Sequence, residues 1–233
     1  MKKIFLIILL TLFYGNIYSQ NYKVKYEVKL LEEEEFLKNE NTRSIYLSAV
    51  EGASLLKFNL ICNDTVSRFI LEDFLEKDSY STKAAIILTE LKKKLFIISE
   101  NVYYNNNEGL FNEETYIIEE KTNKNWSIST ETKKINNYTC YKATTEYVVT
   151  NPKGTFKHPV VAWFCPEIPI SHGPNGYGGL PGLILEIQIR KTLLGAIKIE
   201  KTEEKIQYDL KGEKITKDEL EKKYIDFRNS NKD

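Results

Sequence analysis

The chain has 233 residues, with 33 Lys or Arg against 33 Asp or Glu, so it carries no uniform field to recruit a polyanion, and composition argues against nucleic-acid binding driven by bulk charge. Fifteen Tyr, eleven Phe and two Trp are ample material for a core and exclude a disordered polar chain. Six Pro, eleven Gly and no low-complexity tract exclude a collagenous, mucin-like or linker-dominated protein.

The chain opens with Lys2 and Lys3 before an apolar run over 4–13. This is the layout of a signal peptide, with an apolar core too short to span a bilayer. Ser19 offers a cleavage point ahead of Gln20, and no Cys follows it that could be lipidated. The expectation is a signal peptide over 1–19 and an exported product over 20–233, soluble after cleavage and either periplasmic or extracellular. With no internal repeat, compositional break or linker downstream, 20–233 reads as one domain.

From there the chain reads as a succession of strands. Residues 22–28 alternate apolar and polar side chains at period two, as a strand with one wet face does. Similar candidates lie at 44–50, 55–62, 67–71, 84–88, 94–99, 102–104, 114–119 and 127–129. The acidic run 32–35 reads as a solvated loop or the start of a helix. Residues 138–149 and 156–165 flank Asn151-Pro152-Lys153-Gly154, which has Pro and Gly where a turn wants them. A hairpin closing symmetrically there pairs position i with 305 − i, which sets Ala143 against Ala162, Tyr141 against Phe164, and Cys140 against Cys165. Facing β-carbons in an oxidising compartment predict a Cys140–Cys165 disulfide, with Cys62 left over. Strands at 183–190 and 196–208 follow, the first apolar enough at its start to be buried on both faces. At the end, Thr216 and Glu219 make a capping box, and Leu220, Tyr224 and Phe227 recur at helical spacing. The predicted fold is mainly β: a single curved antiparallel sheet or partly open barrel, with a helix over 216–228 set against its concave face. A sandwich is the other way to protect the edges.

Residues 161–187 carry the densest local signal, with four of the six prolines and a cluster of glycines between 166 and 182. The string Gly179-Leu180-Pro181-Gly182-Leu183-Ile184 resembles the hexapeptide that names the GLPGLI family of exported Bacteroidetes proteins. The resemblance extends through Trp126, Glu131-Thr132-Lys133, Ile135, Tyr138, Cys140 and Ala143, then Trp163, Pro166, Ile168-Pro169 and Gly173-Pro174. It implies a β-rich secreted or periplasmic protein of unknown function, suspected of working beside outer-membrane transporters, and it carries no catalytic residues across. Physically, the hexapeptide reads as a tight turn launching a buried strand, with Gly supplying positive φ or close approach and Pro181 biasing Leu180 to extended geometry. The loop before it presents Trp163, His172 and Tyr177 as candidate binding residues outside the buried strand.

Catalytic and metal chemistry find little support. His158 and His172 lack metal-ligand spacing, Ser171-His172 lacks a nucleophile elbow, and no phosphate-binding or dinucleotide loop is present. Cys165 with a histidine lacks an orienting third group. No cofactor or metal is expected. Two classes remain, with a hydrolase as a distant third: a non-catalytic binding or carrier module for a lipidic or peptide ligand, and an interaction factor docking on an outer-membrane transporter or other envelope protein. A lined cavity favours the first and a fully packed interior the second.

Overall fold

The computed structural model describes residues 20–105, 115–122, 125–151 and 154–230. The signal peptide expected over 1–19, the turn residues Pro152 and Lys153 and the start of the 114–119 strand lie outside the described residues. Among the described residues, twelve strands form the sheet: β1 (Asn21–Leu30), β2 (Lys57–Cys62), β3 (Val66–Leu71), β4 (Lys94–Ile98), β5 (Asn101–Asn105), β6 (Tyr116–Lys121), β7 (Ser127–Ile135), β8 (Tyr138–Asn151), β9 (Gly154–Cys165), β10 (Leu183–Ile189), β11 (Thr192–Thr202) and β12 (Glu213–Thr216). Their spatial order is β12-β6-β5-β4-β3-β2-β1-β11-β10-β9-β8-β7, an open sheet rather than a closed barrel. All neighbours are antiparallel except β12 and β6, which run parallel. The mainly β, single-sheet expectation is met.

Period-two alternation gives the sheet an apolar inner face and a charged outer one. In β1, Val24, Tyr26 and Val28 are buried, while Lys23 and Lys25 point outward to ion pairs with Glu204 and Glu72. The segment 203–212, expected in part as strand, is instead a strap that crosses the outer face. Glu204 pairs with Lys23 and Arg68, Tyr208 packs on Phe96 and Tyr103, and Leu210 is buried in the same small cluster. The strap carries the chain from β11 across to the far edge, which is why β12 arrives parallel to β6.

Two helices replace predicted strands. Residues 44–50 belong to α2 (Glu40–Leu55), which follows the short α1 (Glu34–Lys38), and residues 84–88 belong to α3 (Tyr80–Thr89). Asn39 caps α2 by accepting the Asn41 N–H, and Ser79 caps α3 by accepting the Thr82 N–H. Tyr46, Ala49 and Ala53 form the buried stripe of α2, and Thr82, Ala85 and Thr89 that of α3. A Cβ on Gly52 would meet the Ser81 carbonyl oxygen at 2.1 Å, so the two helices touch backbone to backbone there. Both pack their buried stripes into the core on the inner face. The expected terminal helix is α4 (Lys217–Ser230). Its capping box is reciprocal: Glu219 N–H donates to Thr216 Oγ1 at 3.2 Å and Thr216 N–H to Glu219 Oε2 at 2.7 Å.

The β8–β9 hairpin has the expected register, with Tyr141 opposite Phe164 and Ala143 opposite Ala162. The Cys140–Cys165 disulfide is not formed: all three cysteines are free and buried. The ladder stops at Tyr141 and Phe164. Beyond it Cys140 pairs with Lys133 on β7 and Cys165 with Leu183 on β10, and the β8–β9 ladder does not continue to set the two cysteines against each other. Burial pushes the Cys62 and Cys140 thiols up to about 12, which suppresses the thiolate needed for exchange.

Candidate binding cavity

Tyr104 and Glu120, on β5 and β6 near one end of the sheet, line the same cavity as Tyr147 on β8 near the other end. The sheet therefore bends until its two ends face each other across the inner face. Between them is a cavity of about 760 Å³, closed on one side by Tyr46 and the end of α3 and on another by Asn175, Gly176 and Tyr177. That volume is of the size that holds a small ligand or a short segment of chain.

The wall combines tyrosines with paired charges. Arg190 and Glu90 form an ion pair at 2.9 Å, both from left-handed backbone at φ 54° and 55°. The Tyr104 hydroxyl donates to Glu120 at 2.7 Å, and Lys217, at the start of α4, stands 3.6 Å from the same carboxylate. The Lys92 ammonium lies 4.2 Å from the centroid of the Tyr104 ring, and burial lowers its pKa against the opposing pull of Glu120. Tyr147 is raised, first by burial and then by Glu90. Tyr177 is raised well beyond the ordinary phenol range, mainly by burial and then by its neighbour Tyr147. With their pKa values raised, the Tyr147 and Tyr177 phenols keep their protons at neutral pH. Among the described residues, no three His, Cys, Asp or Glu side chains gather in a way that could hold a metal.

Of the three candidate binding residues, the structure brings only Tyr177 to the cavity. Its ring packs edge-on against Trp126, whose indole N–H donates to the Gly178 carbonyl at 2.8 Å. His172 is not a surface group: it is 4% exposed, makes a β-bridge to Gly178, and neither ring nitrogen has a hydrogen-bond partner. Burial lowers its pKa to about 4, so the ring is neutral. Trp163 is half-buried under the Lys133 ammonium, 4.5 Å from its ring, and does not line the cavity. Its neighbours Ala162 and Phe164 are buried in the core, so alternation along β9 turns Trp163 to the opposite face.

The hexapeptide and the residues before it act as a packed lid over the inner face. A Cβ on Gly173 would meet Ile184 at 2.7 Å, and one on Gly182, at φ 156°, the Cys165 carbonyl oxygen at 2.3 Å. Gly179 is also left-handed, at φ 82°. Pro174 and Leu180 are buried, and Leu183 and Ile184 are fully buried, as a strand covered on both faces requires. Tyr26 OH donates to the Ile184 carbonyl at 2.6 Å, tying the launch of β10 to the floor of the sheet. Pro181 follows Leu180 in the turn, where Gly182 N–H bonds back to the Leu180 carbonyl at 2.8 Å.

Lys92, Tyr104, Glu120, Tyr147 and Arg190 escaped the sequence reading because they come from separate strand ends far apart in the chain. One local signal was present. Tyr104 and Glu120 continue the inner-face positions of Val102 and Ile118, so polar groups fall where alternation demands apolar ones.

A family described as "Protein of unknown function (Porph_ging)" matches residues 153–186, a stretch that contains the hexapeptide. The resemblance drawn from the sequence is supported to that extent, as an uncharacterised family matched over a short segment, and the GLPGLI name is not confirmed by it. No curated protein matches. Among solved structures, PNGF-II in space group P21 is similar with a TM-score of 0.53 and 16% identity, covering 88% of this chain and 33% of that one. The C2 form of PNGF-II gives 0.50 and 16%, covering 90% and 33%. The chain spans about a third of the length of these neighbours, and at such identity the likeness shows the fold alone.

Proposed function

We propose that this is a non-catalytic binding module of the cell envelope whose cavity takes an elongated amphipathic ligand, most simply a peptide segment. The observation that carries the reading is the cavity of about 760 Å³ between the two ends of the sheet, since a protein that acts only through its outer surface has no need of one. Paired charges and tyrosines on the wall suit a peptide, with its polar backbone, better than a purely hydrocarbon chain. Export through the 1–19 leader is part of the proposal, and N-terminal sequencing of protein recovered from an envelope fraction checks it: Gln20 is expected, and intact Met1 contradicts it.

The binding role is tested by native mass spectrometry of the protein purified from envelope extracts, beside a Leu88→Trp variant that fills the cavity. The wild type is expected to carry extra bound mass that the variant lacks while keeping the same circular dichroism spectrum. Equal mass on both proteins, or none on either, would rule the reading out. Docking on an outer-membrane transporter or other envelope protein is the second reading, favoured by the exposed apolar side chains of Ile128 and Phe156 on β7 and β9, which do not line the cavity. Its signature is a co-purifying protein lost on Phe156→Lys and retained in Leu88→Trp.

A further inference from the structure

The cavity holds a half-buried cation, Lys92, that makes no direct ion pair among the described residues. Glu90 is held by Arg190 at 2.9 Å, Glu146 by Lys157 at 2.9 Å, and Glu120 accepts Tyr104 OH at 2.7 Å with Lys217 at 3.6 Å. The remaining wall carboxylate, Glu33, acts on Tyr46 at the other end. Among the described residues no carboxylate stands within ion-pair distance of Lys92, and Glu120 and Glu90 act on it only from farther off. Its ammonium rests on the Tyr104 ring at 4.2 Å, and its backbone N–H is pinned by Asn175 Oδ1 at 3.0 Å, which sets the side chain beside the loop that carries Tyr177. Tyr147 and Tyr177 line the same cavity, and among the described residues neither hydroxyl is hydrogen-bonded. The wall's acceptors are thus spent, while an ammonium and two hydroxyl donors are left open.

We propose that Lys92, Tyr147 and Tyr177 form a carboxylate-binding subsite, and that the ligand of this cavity presents a terminal carboxylate to it. An ammonium partly stripped of water, resting on a ring and bonded directly to no carboxylate, has hydrogen-bonding capacity that a ligand carboxylate meets with charge-assisted bonds. Phenol hydroxyls at ordinary protonation donate to the same oxygens. The inference rests on reading the cavity as a ligand site, and it adds which chemical end of the ligand is held. A carboxylate comes either from the C-terminus of a peptide or from a fatty acid, and the subsite chemistry is the same for both.

The test is fluorescence anisotropy with a fluorescein-labelled random octapeptide mixture carrying a free C-terminal carboxylate, its C-terminal amide counterpart, and dodecanoate and dodecanol as competitors. The free-acid mixture is expected to bind about tenfold more tightly than the amide, the worth of one charge-assisted contact. Lys92→Gln should erase that difference, and Tyr177→Phe should reduce it, with unchanged circular dichroism in both. Displacement by dodecanoate but not dodecanol assigns the carboxylate to a fatty acid, and displacement by neither assigns it to peptide. Equal binding of acid and amide, or an acid preference retained in Lys92→Gln, overturns the subsite while leaving the cavity as a binding site. Failure of every probe to bind the wild type overturns both.

Discussion

The inner face of the sheet is covered in two different ways, and the contrast separates structure from function. Over the end of β9 and the start of β10 the loop 166–182 is packed down tightly, and Leu183, Ile184, Leu185 and Ile187 have no exposure at all. Over β5, β6 and the outer part of β8 the same face is left open as a cavity with polar groups on its wall. The hexapeptide, the most conspicuous string in the chain, therefore belongs to the solid half. Its service to the open half is indirect: a rigid lid holds Asn175, Gly176 and Tyr177 at the cavity's edge.

The sharpest way to break this contrast is Gly182→Val. A β-branched side chain at φ 156°, with its Cβ 2.3 Å from the Cys165 carbonyl oxygen, adds strain to a backbone clash and is expected to cost about 3–5 kcal/mol. The urea midpoint measures it, and near-normal stability would place the hexapeptide outside the solid half. The second largest effect is at His172. Its folded pKa of about 4 lies below the ordinary 6.5, so between those values the unfolded chain binds a proton that the folded one does not. Stability is full above pH 6.5, falls as the pH drops through the window, and is lower by about 3 kcal/mol below pH 4. His172→Leu should remove that part of the acid sensitivity in urea titrations at pH 7 and pH 4.

A matched pair of hydroxyl deletions sharpens the comparison further. Tyr26→Phe strands the buried Ile184 carbonyl, which now accepts a 2.6 Å bond, and is expected to cost about 1–2 kcal/mol in chemical unfolding. Tyr177→Phe removes a hydroxyl that faces the cavity, so its unfolding midpoint should move by less than about 0.5 kcal/mol while octapeptide binding weakens. The same chemical change thus reads as stability in one half and as affinity in the other. Thiol counting extends the contrast to the floor beneath the lid: with three free, buried cysteines, maleimide should label none in the native protein and three in urea without reductant.

How much of this was legible in the sequence follows the same division. Alternation exposed most strands, the symmetric turn gave the β8–β9 register, and the capping box at Thr216 and Glu219 gave α4, because each is a local pattern with a local cause. The stripes at 46, 49 and 53 and at 82, 85 and 89 were also local, but short runs such as Ala84-Ala85-Ile86-Ile87-Leu88 carry no periodicity that separates a strand from a buried helix. The Asn39 and Ser79 caps were the signals that decide for helix. Cys140 and Cys165 sat in the right register, yet which strands continue beyond Tyr141 and Phe164 depends on β7 and β10, which no hairpin argument contains. His172 looked like a surface group because a loop rich in Gly and Pro normally is one; here Ile168, Ile170 and Leu180 pull that loop into the core. The cavity was illegible, since its wall exists only once the two ends of a twelve-stranded sheet meet.

Hydrogen–deuterium exchange with and without the saturating octapeptide mixture tests the division most directly. New protection is expected in peptides covering 88–104, 144–149 and 175–178, and none over 183–189, whose buried strand should already exchange slowly. Protection confined to 161–172, around Trp163 and His172, would contradict it and return the binding surface to the loop.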